Sequence, residues 1–187
     1  MELEIFEDQT FEHEMPSKGN YTHCRFVNID FKGFNFNEWV FSECTFVNCD
    51  MSLVKCQQTA FMNVKFNACK MLGFNFENCK DFLFEVSFEN CLLSLANFYK
   101  KRLKQTQFVK CELKEVDFTL ANLNKALFKE CDLSGAIFSE TILEETDFRT
   151  AYNFSIDPEK NKLKKAKFTS NGLQGLLHKY QLNIYPA

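Results

Sequence analysis

The large apolar side chains of this chain recur every five residues. Phe26, Phe31, Phe36, Phe41, Phe46, Phe61, Phe66 and Phe76 are in step, and Met51, Cys56 and Met71 fill the gaps in the series. Phe6, Phe11 and Tyr21 share that phase. Farther along, the series is unbroken and alternates: Phe88, Leu93, Phe98, Leu103, Phe108, Leu113, Phe118, Leu123, Phe128, Leu133, Phe138, Leu143, Phe148. A helical face repeats about every 3.6 residues and a strand face every two, so neither element alone carries this period.

A second inward position lies two residues before each centre. In the second half it holds small side chains such as Cys91, Ala96, Thr106, Cys111, Ala121, Ala126 and Cys131. Residues two apart in an extended segment point to the same side. The other three residues must then turn a corner, and repeated sides and corners make stacked coils, a solenoid. Phe34, Trp39 and Phe74 are oversized for their place, which predicts less regular N-terminal coils.

The composition fits one packed domain. A chain of 187 residues with 45% hydrophobic content is neither disordered nor too short for a core, and no stretch approaches the roughly 20 apolar residues of a membrane span. Residues 1–15 carry six acids and no base, the opposite of a secretory or transit peptide, so the expected location is cytoplasmic.

Segments such as ANFYK, VDFTL, ANLNK, CDLSG, AIFSE and TDFRT follow an A(D/N)LXX pattern. Over about residues 22–151 the chain resembles the pentapeptide-repeat family. That resemblance implies an all-β, right-handed quadrilateral β-helix with four sides and twenty residues per turn. The chain then reads as a single solenoid domain, 1–187. Residues 1–21 form an N-terminal cap, with Phe6 and Phe11 in a partial coil and a turn at Pro16–Asn20. Coils fill 22–151. Residues 152–187 hold a last partial coil, a loop and a short C-terminal helix.

Eight of the nine cysteines fall on the small inward position, and Cys56 takes a centre. No two are closer than five residues, and His13, His23 and His178 fit no ligand spacing, so no metal or cofactor is expected. Buried structural thiols are the expected state, and a disulfide framework does not suit a cytosolic chain.

Two features depart from the pattern. The phase shifts by two residues between Phe76 and Phe88, near 77–87. This is either a bulge between two sub-stacks or a small loop that meets a partner. Lys101 places a charge where a small inward residue belongs; either the corner is distorted there or the side chain reaches outward. A surface recess for a partner is a further reading. Lys101 belongs to a basic cluster with Lys100, Arg102 and Lys104.

Charge is otherwise segregated. Glu130, Asp132, Glu140, Glu144, Glu145 and Asp147 form an acidic belt with no intervening base, and five lysines follow between Lys160 and Lys167. Either the belt or the basic cluster is a candidate partner-binding patch, or simply a solvated charged surface.

The tail is apolar. Leu173, Leu176, Leu177 and Tyr180 share a helical face, and Leu182 and Ile184 alternate as in a short strand. The Asp157–Pro158 loop and Leu176, Leu177, Leu182 and Ile184 are similar to the ends of the Qnr and MfpA group of quinolone-resistance proteins. The tail either only plugs its own last coil or also meets the tail of a second chain, and this second resemblance implies the latter, a homodimer joined through the six apolar tail residues. It also implies a DNA mimic that binds DNA gyrase or topoisomerase IV and modulates quinolone sensitivity. Charge tests that implication. Seven or eight coils at about 4.8 Å make a rod of roughly 35–40 Å. A duplex of that length carries about 22 negative charges. This chain carries a net −3. Its interior insertion is two residues, whereas some Qnr proteins carry long loops. The alternative is a scaffold for another protein. An enzyme is disfavoured by the lack of a nucleophile motif or Gly-rich phosphate loop. Direct nucleic-acid binding is disfavoured by the net charge.

Overall fold

The computed structural model describes residues 4–7 and 18–185. Phe11 and Pro16 lie outside them. Ten short strands form: β1 (Glu4–Glu7), β2 (Asn20–Thr22), β3 (Cys24–Val27), β4 (Val40–Ser42), β5 (Thr45–Val47), β6 (Ala60–Met62), β7 (Val64–Asn67), β8 (Val86–Glu89), β9 (Gln107–Val109) and β10 (Leu127–Lys129). The first side of the solenoid is a seven-stranded parallel sheet in the order β1-β3-β5-β7-β8-β9-β10. The fourth side begins as a three-stranded sheet, β2-β4-β6. The second and third sides are ladders of single parallel bridges, such as Asp30↔Asp50↔Lys70↔Leu92 and Asn97↔Asp117↔Ile137. Strands are this short because each five-residue side spends part of its length on a corner.

The corner explains the repeat's polar positions. Two residues past each centre the backbone turns left-handed, as at Asn48 (φ 52°), Lys110 (φ 53°) and Leu120 (φ 60°). An L-residue there costs about 1–2 kcal/mol. The same residue donates its amide to the next coil, as Lys110 N does to Lys129 O at 2.7 Å, and this offsets the strain. Where an Asp or Asn precedes the centre, it holds the turn. Its carboxylate or amide oxygen accepts from the backbone N–H two residues on, at 2.9 Å for Asp50–Ser52 and 2.8 Å for Asn97–Tyr99 and Asp117–Thr119.

Inside, the centres stack face to face one coil apart. Phe26 and Phe46 lie 4.7 Å apart, Phe66 and Phe88 5.3 Å, and Phe108 and Phe128 4.9 Å on the first side. The third side repeats this with Phe76, Phe98 and Phe118. Leu113, Leu123, Leu133 and Leu143, all buried, occupy the other two sides. The small inward position also serves the backbone, because its side chain donates to a carbonyl of the coil below. Thr146 Oγ1 reaches Leu123 O at 2.7 Å, Thr141 Oγ1 reaches Phe118 O at 2.9 Å, and Cys131 Sγ reaches Phe108 O at 3.3 Å. Cys and Thr are therefore equivalent here.

All nine cysteines are free and buried. Burial pushes the Cys44 thiol up to about 11, and Cys91 goes to about 12 through its hydrogen-bonded neighbour Cys111, then burial. Cys131, at the other end of that ladder, shifts down through its bond to Cys111 but is fully enclosed. The native protein is expected to leave all nine thiols unmodified for minutes in a chromogenic disulfide reagent and to release nine equivalents once denatured. A thiol that reacts at once in the native state would show that a coil opens.

The oversized residues are accommodated by exchange of volume. Phe74 is buried, Trp39 is nearly so, and Phe34 packs against Phe36 and Trp39 at 5.1 and 5.6 Å. The centre between them, where a Phe would sit, is Cys56. The bridge ladder of the third side skips from Asn35↔Lys55 to Asn75↔Asn97, with a 3-10 turn at Phe76–Asn78, so the predicted irregularity is present but local.

The two-residue insertion does not divide the rod into two sub-stacks. Three sides run through it, with Val64↔Val86 and Phe66↔Phe88 on the first, Lys70↔Leu92 on the second and Asn75↔Asn97 on the third. The fourth side alone gives way. Its sheet ends at β6, and its ladder resumes with Arg102↔Asn122. Between them, residues 80–84 bulge. Asp81 stands at the centre's place but faces water, and Phe84 turns in to pack on Phe76 at 6.2 Å. Lys101 does not reach outward. It is 3% exposed, its Nζ donates to Cys79 O at 2.6 Å and Asp81 Oδ1 at 2.8 Å, and it lies 5.4 Å from the Phe84 ring. The insertion and the misplaced lysine are thus one feature: the bulge removes a centre, and the lysine stem fills the space.

At the ends, Phe6 stacks on Phe26 at 5.0 Å, and Phe168 stacks on Phe148 at 5.2 Å. The loop after Tyr152 turns Phe154 and Ile156 into the core, which the five-residue phase does not foretell. The tail then covers Phe154. Gly175 lies so close to that ring that a Cβ would meet it at 2.5 Å. Its carbonyl accepts from Ile156 N at 2.9 Å. The predicted helix is two 3-10 turns, Asn171–Leu176 and His178–Tyr180, because this close approach leaves no room for a regular helix. Leu182 and Ile184 form no strand; they extend past the last coil with no ladder beside them. Among the described residues no helix is long and apolar enough to cross a membrane.

Candidate interaction surface

With the interior filled, chemistry is left to the outer sides and the two ends. In a solenoid the neighbour of an outward residue is the one a coil away, so charge must be read down columns. The acidic belt runs round all four sides of one coil. Asp132 and Asp147 are corner-forming residues: Asp132 accepts from Ser134 N and Oγ, at 3.1 and 2.6 Å, and from Asn153 Nδ2 at 2.9 Å. Asp147 is held by Arg149 at 2.7 Å. These bonds outweigh partial burial and keep the Asp132 carboxyl below the usual carboxylate range; the Arg149 guanidinium does the same for Asp147. Glu130 lies 3.9 Å from Lys129, and Glu145 lies 3.9 Å from Lys125. For Glu140 and Glu144 no cation lies within 4 Å among the described residues.

The five lysines of the next coil stack on this belt. Ile142 bridges Lys162, and Asp147 bridges Lys167. Glu140 N donates to Lys160 O, and Glu145 N donates to Lys164 O. The acidic and basic runs are therefore consecutive layers joined through their backbones, with no carboxylate–ammonium contact between them within 4 Å among the described residues.

The basic cluster separates. Lys101 is interior. Lys100 lies over the Tyr99 ring at 4.9 Å, at the corner between the third and fourth sides. Arg102 and Lys104 project at the corner between the fourth and first sides, where a groove of about 530 Å³ also takes in Lys65 and Glu85. Lys65 lies 37 residues before Arg102 and is invisible as part of a cluster in the linear sequence. Counting one turn plus the inserted pair on the first side, which sets Ser87 over Lys65 and Gln107 beyond it, would have found it.

At the C-terminal end the six tail residues divide. Leu176 packs against the core, Leu177 is half-buried, and Leu173, Tyr180, Leu182 and Ile184 are exposed. Lys179 Nζ sits 2.8 Å from both Asp157 and Glu159 and clamps the tail to the loop. Its ammonium holds both carboxyls below their ordinary range. No group of three or more His, Cys, Asp or Glu that could hold a metal ion occurs among the described residues.

The family model described as Pentapeptide repeat region matches residues 82–168. No curated protein matches the chain significantly. Among solved structures, a trypsin-treated variant of QnrB1, a plasmid-mediated fluoroquinolone resistance protein, is similar with a TM-score of 0.62 at 23% identity over 91% of this chain and 84% of that one. Full-length QnrB1 gives 0.47 at 18% identity, over 97% and 99%. HetL, a pentapeptide repeat protein involved in heterocyst differentiation regulation from the cyanobacterium Nostoc, gives 0.34 at 12% identity, over 80% and 84%. The five-residue period and the four-sided parallel stack make this chain a β-solenoid that matches the pentapeptide-repeat β-helix, with residues 82–168 matching the family's model.

Proposed function

We propose that this protein is a non-catalytic rod that binds another protein through its outer sides, and that the partner is a type II topoisomerase, DNA gyrase or topoisomerase IV. The observation that carries the reading is the continuous buried column of ring and leucine centres, which leaves the long outer sides as the working surface. The topoisomerase part draws support from the shared rod of a fluoroquinolone resistance protein. It is tested by gyrase supercoiling with and without a quinolone, titrated with this protein. Inhibition or protection at micromolar protein is expected, and the absence of both would sink it. A scaffold for another protein is the second reading. It is favoured by the stacking of the acidic belt on the Lys160–Lys167 layer, which removes the continuous negative charge a DNA mimic needs.

The rod pairs with a second copy through Leu173, Tyr180, Leu182 and Ile184, while Leu176 serves the cap. The double variant Leu182→Asp/Ile184→Asp is expected to convert a dimer to a monomer in light scattering, with its thermal midpoint unchanged. Leu176→Asp is expected to lower the midpoint. A wild type that stays monomeric at high concentration would overturn the pairing.

A further inference from the structure

Three features coincide in the groove beside the bulge. First, its cations are unpaired: Lys65, Arg102 and Lys104 have no carboxylate within 4 Å among the described residues. Elsewhere some lysines, such as Lys70, Lys114 and Lys125, have carboxylate partners and others, such as Lys55 and Lys110, have none within 4 Å among the described residues, so what marks the groove is three such cations around one recess. Glu85 is the one carboxylate in the lining, so the groove keeps a net positive charge. Second, it lies where the fourth-side ladder is interrupted between β6 and Arg102, so the surface there is concave instead of flat. Third, its rim is apolar. Leu83, at the crest of the bulge, is 62% exposed, while its neighbour Phe82, 75% exposed, lines the separate recess beside Glu77 and Asp81. Leu83 lines the groove, and the Lys101–Asp81 pair holds the crest from beneath.

We propose that this groove is a docking site for an extended acidic segment of a partner protein, with an apolar side chain of that segment seated on Leu83. The cations come from two levels of the rod, Lys65 below the bulge and Arg102 and Lys104 above it. Two coil spacings span about 10 Å, which matches roughly three residues of extended chain. Carboxylates on one face of such a segment meet Arg102 and Lys104, and Arg offers a planar fork suited to a carboxylate. The side-chain amides of Asn63, Gln105 and Gln107, also in the lining, supply donors and acceptors for its backbone. A nucleic-acid phosphate would also meet the cations. The apolar crest, Glu85 in the lining and the net −3 of the chain favour a protein instead. This inference rests on the protein-binding reading but not on topoisomerase as the partner.

The test is selection of a random twelve-residue peptide display library on the full chain. Enriched peptides are expected to carry at least two acids and one large apolar residue. Their affinity in fluorescence polarisation is expected to fall at least tenfold with Arg102→Glu/Lys104→Glu, with Lys65→Glu and with Leu83→Asp. It is expected to be unchanged with Lys162→Glu/Lys164→Glu at the far end, all at unaltered thermal midpoints. No enrichment, peptides without acids, or affinity indifferent to charge reversal at Arg102, Lys104 and Lys65 would overturn the proposal. So would a single-stranded or duplex oligonucleotide that binds the groove more tightly than any selected peptide. A negative gyrase assay beside a positive selection would retire only the topoisomerase reading.

Discussion

Lys101→Ala is expected to destabilise the protein by about 2–4 kcal/mol, although it removes a charge from an apolar interior. The side chain is 3% exposed and fills the space that a missing centre leaves under the bulge. Truncation opens a cavity and leaves the Cys79 carbonyl without its donor at 2.6 Å. Lys101→Met keeps the stem and loses the bonds to Cys79 O and to Asp81, whose exposed carboxylate water takes over, at a cost of about 1 kcal/mol. Asp81→Ala lies between them. Breaking a fully buried pair costs about 3–5 kcal/mol, but the Asp81 side chain is 71% exposed and water replaces it, so roughly 1–2 kcal/mol is expected. Urea unfolding of the three variants checks the order alanine, then aspartate removal, then methionine. If Lys101→Ala costs no more than Lys100→Ala one residue away, the lysine is not a filler and this account fails.

The same residue shows where the sequence was informative. The inward pattern was legible because every coil repeats one local solution: a large centre, a small donor two before it, and Asp or Asn ahead of it. Phe108 and Leu113 are buried where the period puts them. Lys101 was legible as an anomaly but not as a structure, because its partner, Asp81, belongs to the coil below and is displaced by the insertion. Outward residues were less legible for the same geometric reason. Glu140 and Lys160 are twenty residues apart in sequence yet share a coil-to-coil backbone bond, so a charge run along the chain does not by itself name the neighbours of each charge on the rod. Lys65 and Arg102 show the converse, a spatial cluster with no linear trace. Phe154 and Ile156 were missed because the last coil is closed by a loop that obeys strand alternation and not the five-residue phase. The 3-10 form of the tail depended on the contact between Gly175 and Phe154, which the spacing of the leucines does not encode.

Phe108→Ala is expected to have the largest effect of any single truncation, a loss of about 3–5 kcal/mol. Its ring is fully buried between Phe88 at 5.2 Å and Phe128 at 4.9 Å, with the edges of Phe98 and Phe118 at 6.0 and 5.9 Å. Neither neighbour can collapse into the space, because each is held in register by backbone pairing of its own coil. A coil in a solenoid contacts only the coils beside it, so the loss is concentrated at one interface in the middle of the stack. Unfolding is therefore expected to lose cooperativity as well as stability, with a lower denaturant midpoint and a lower slope as the two halves begin to separate. Phe168→Ala provides the control. That ring is half-buried on the last coil and stacks on Phe148 from one side, so its loss should fray the end, cost less and leave the slope unchanged. If the terminal truncation costs as much as the central one, or the slope at Phe108→Ala matches wild type, the column does not hold the coils together interface by interface, and the stability of the rod must reside in its corners.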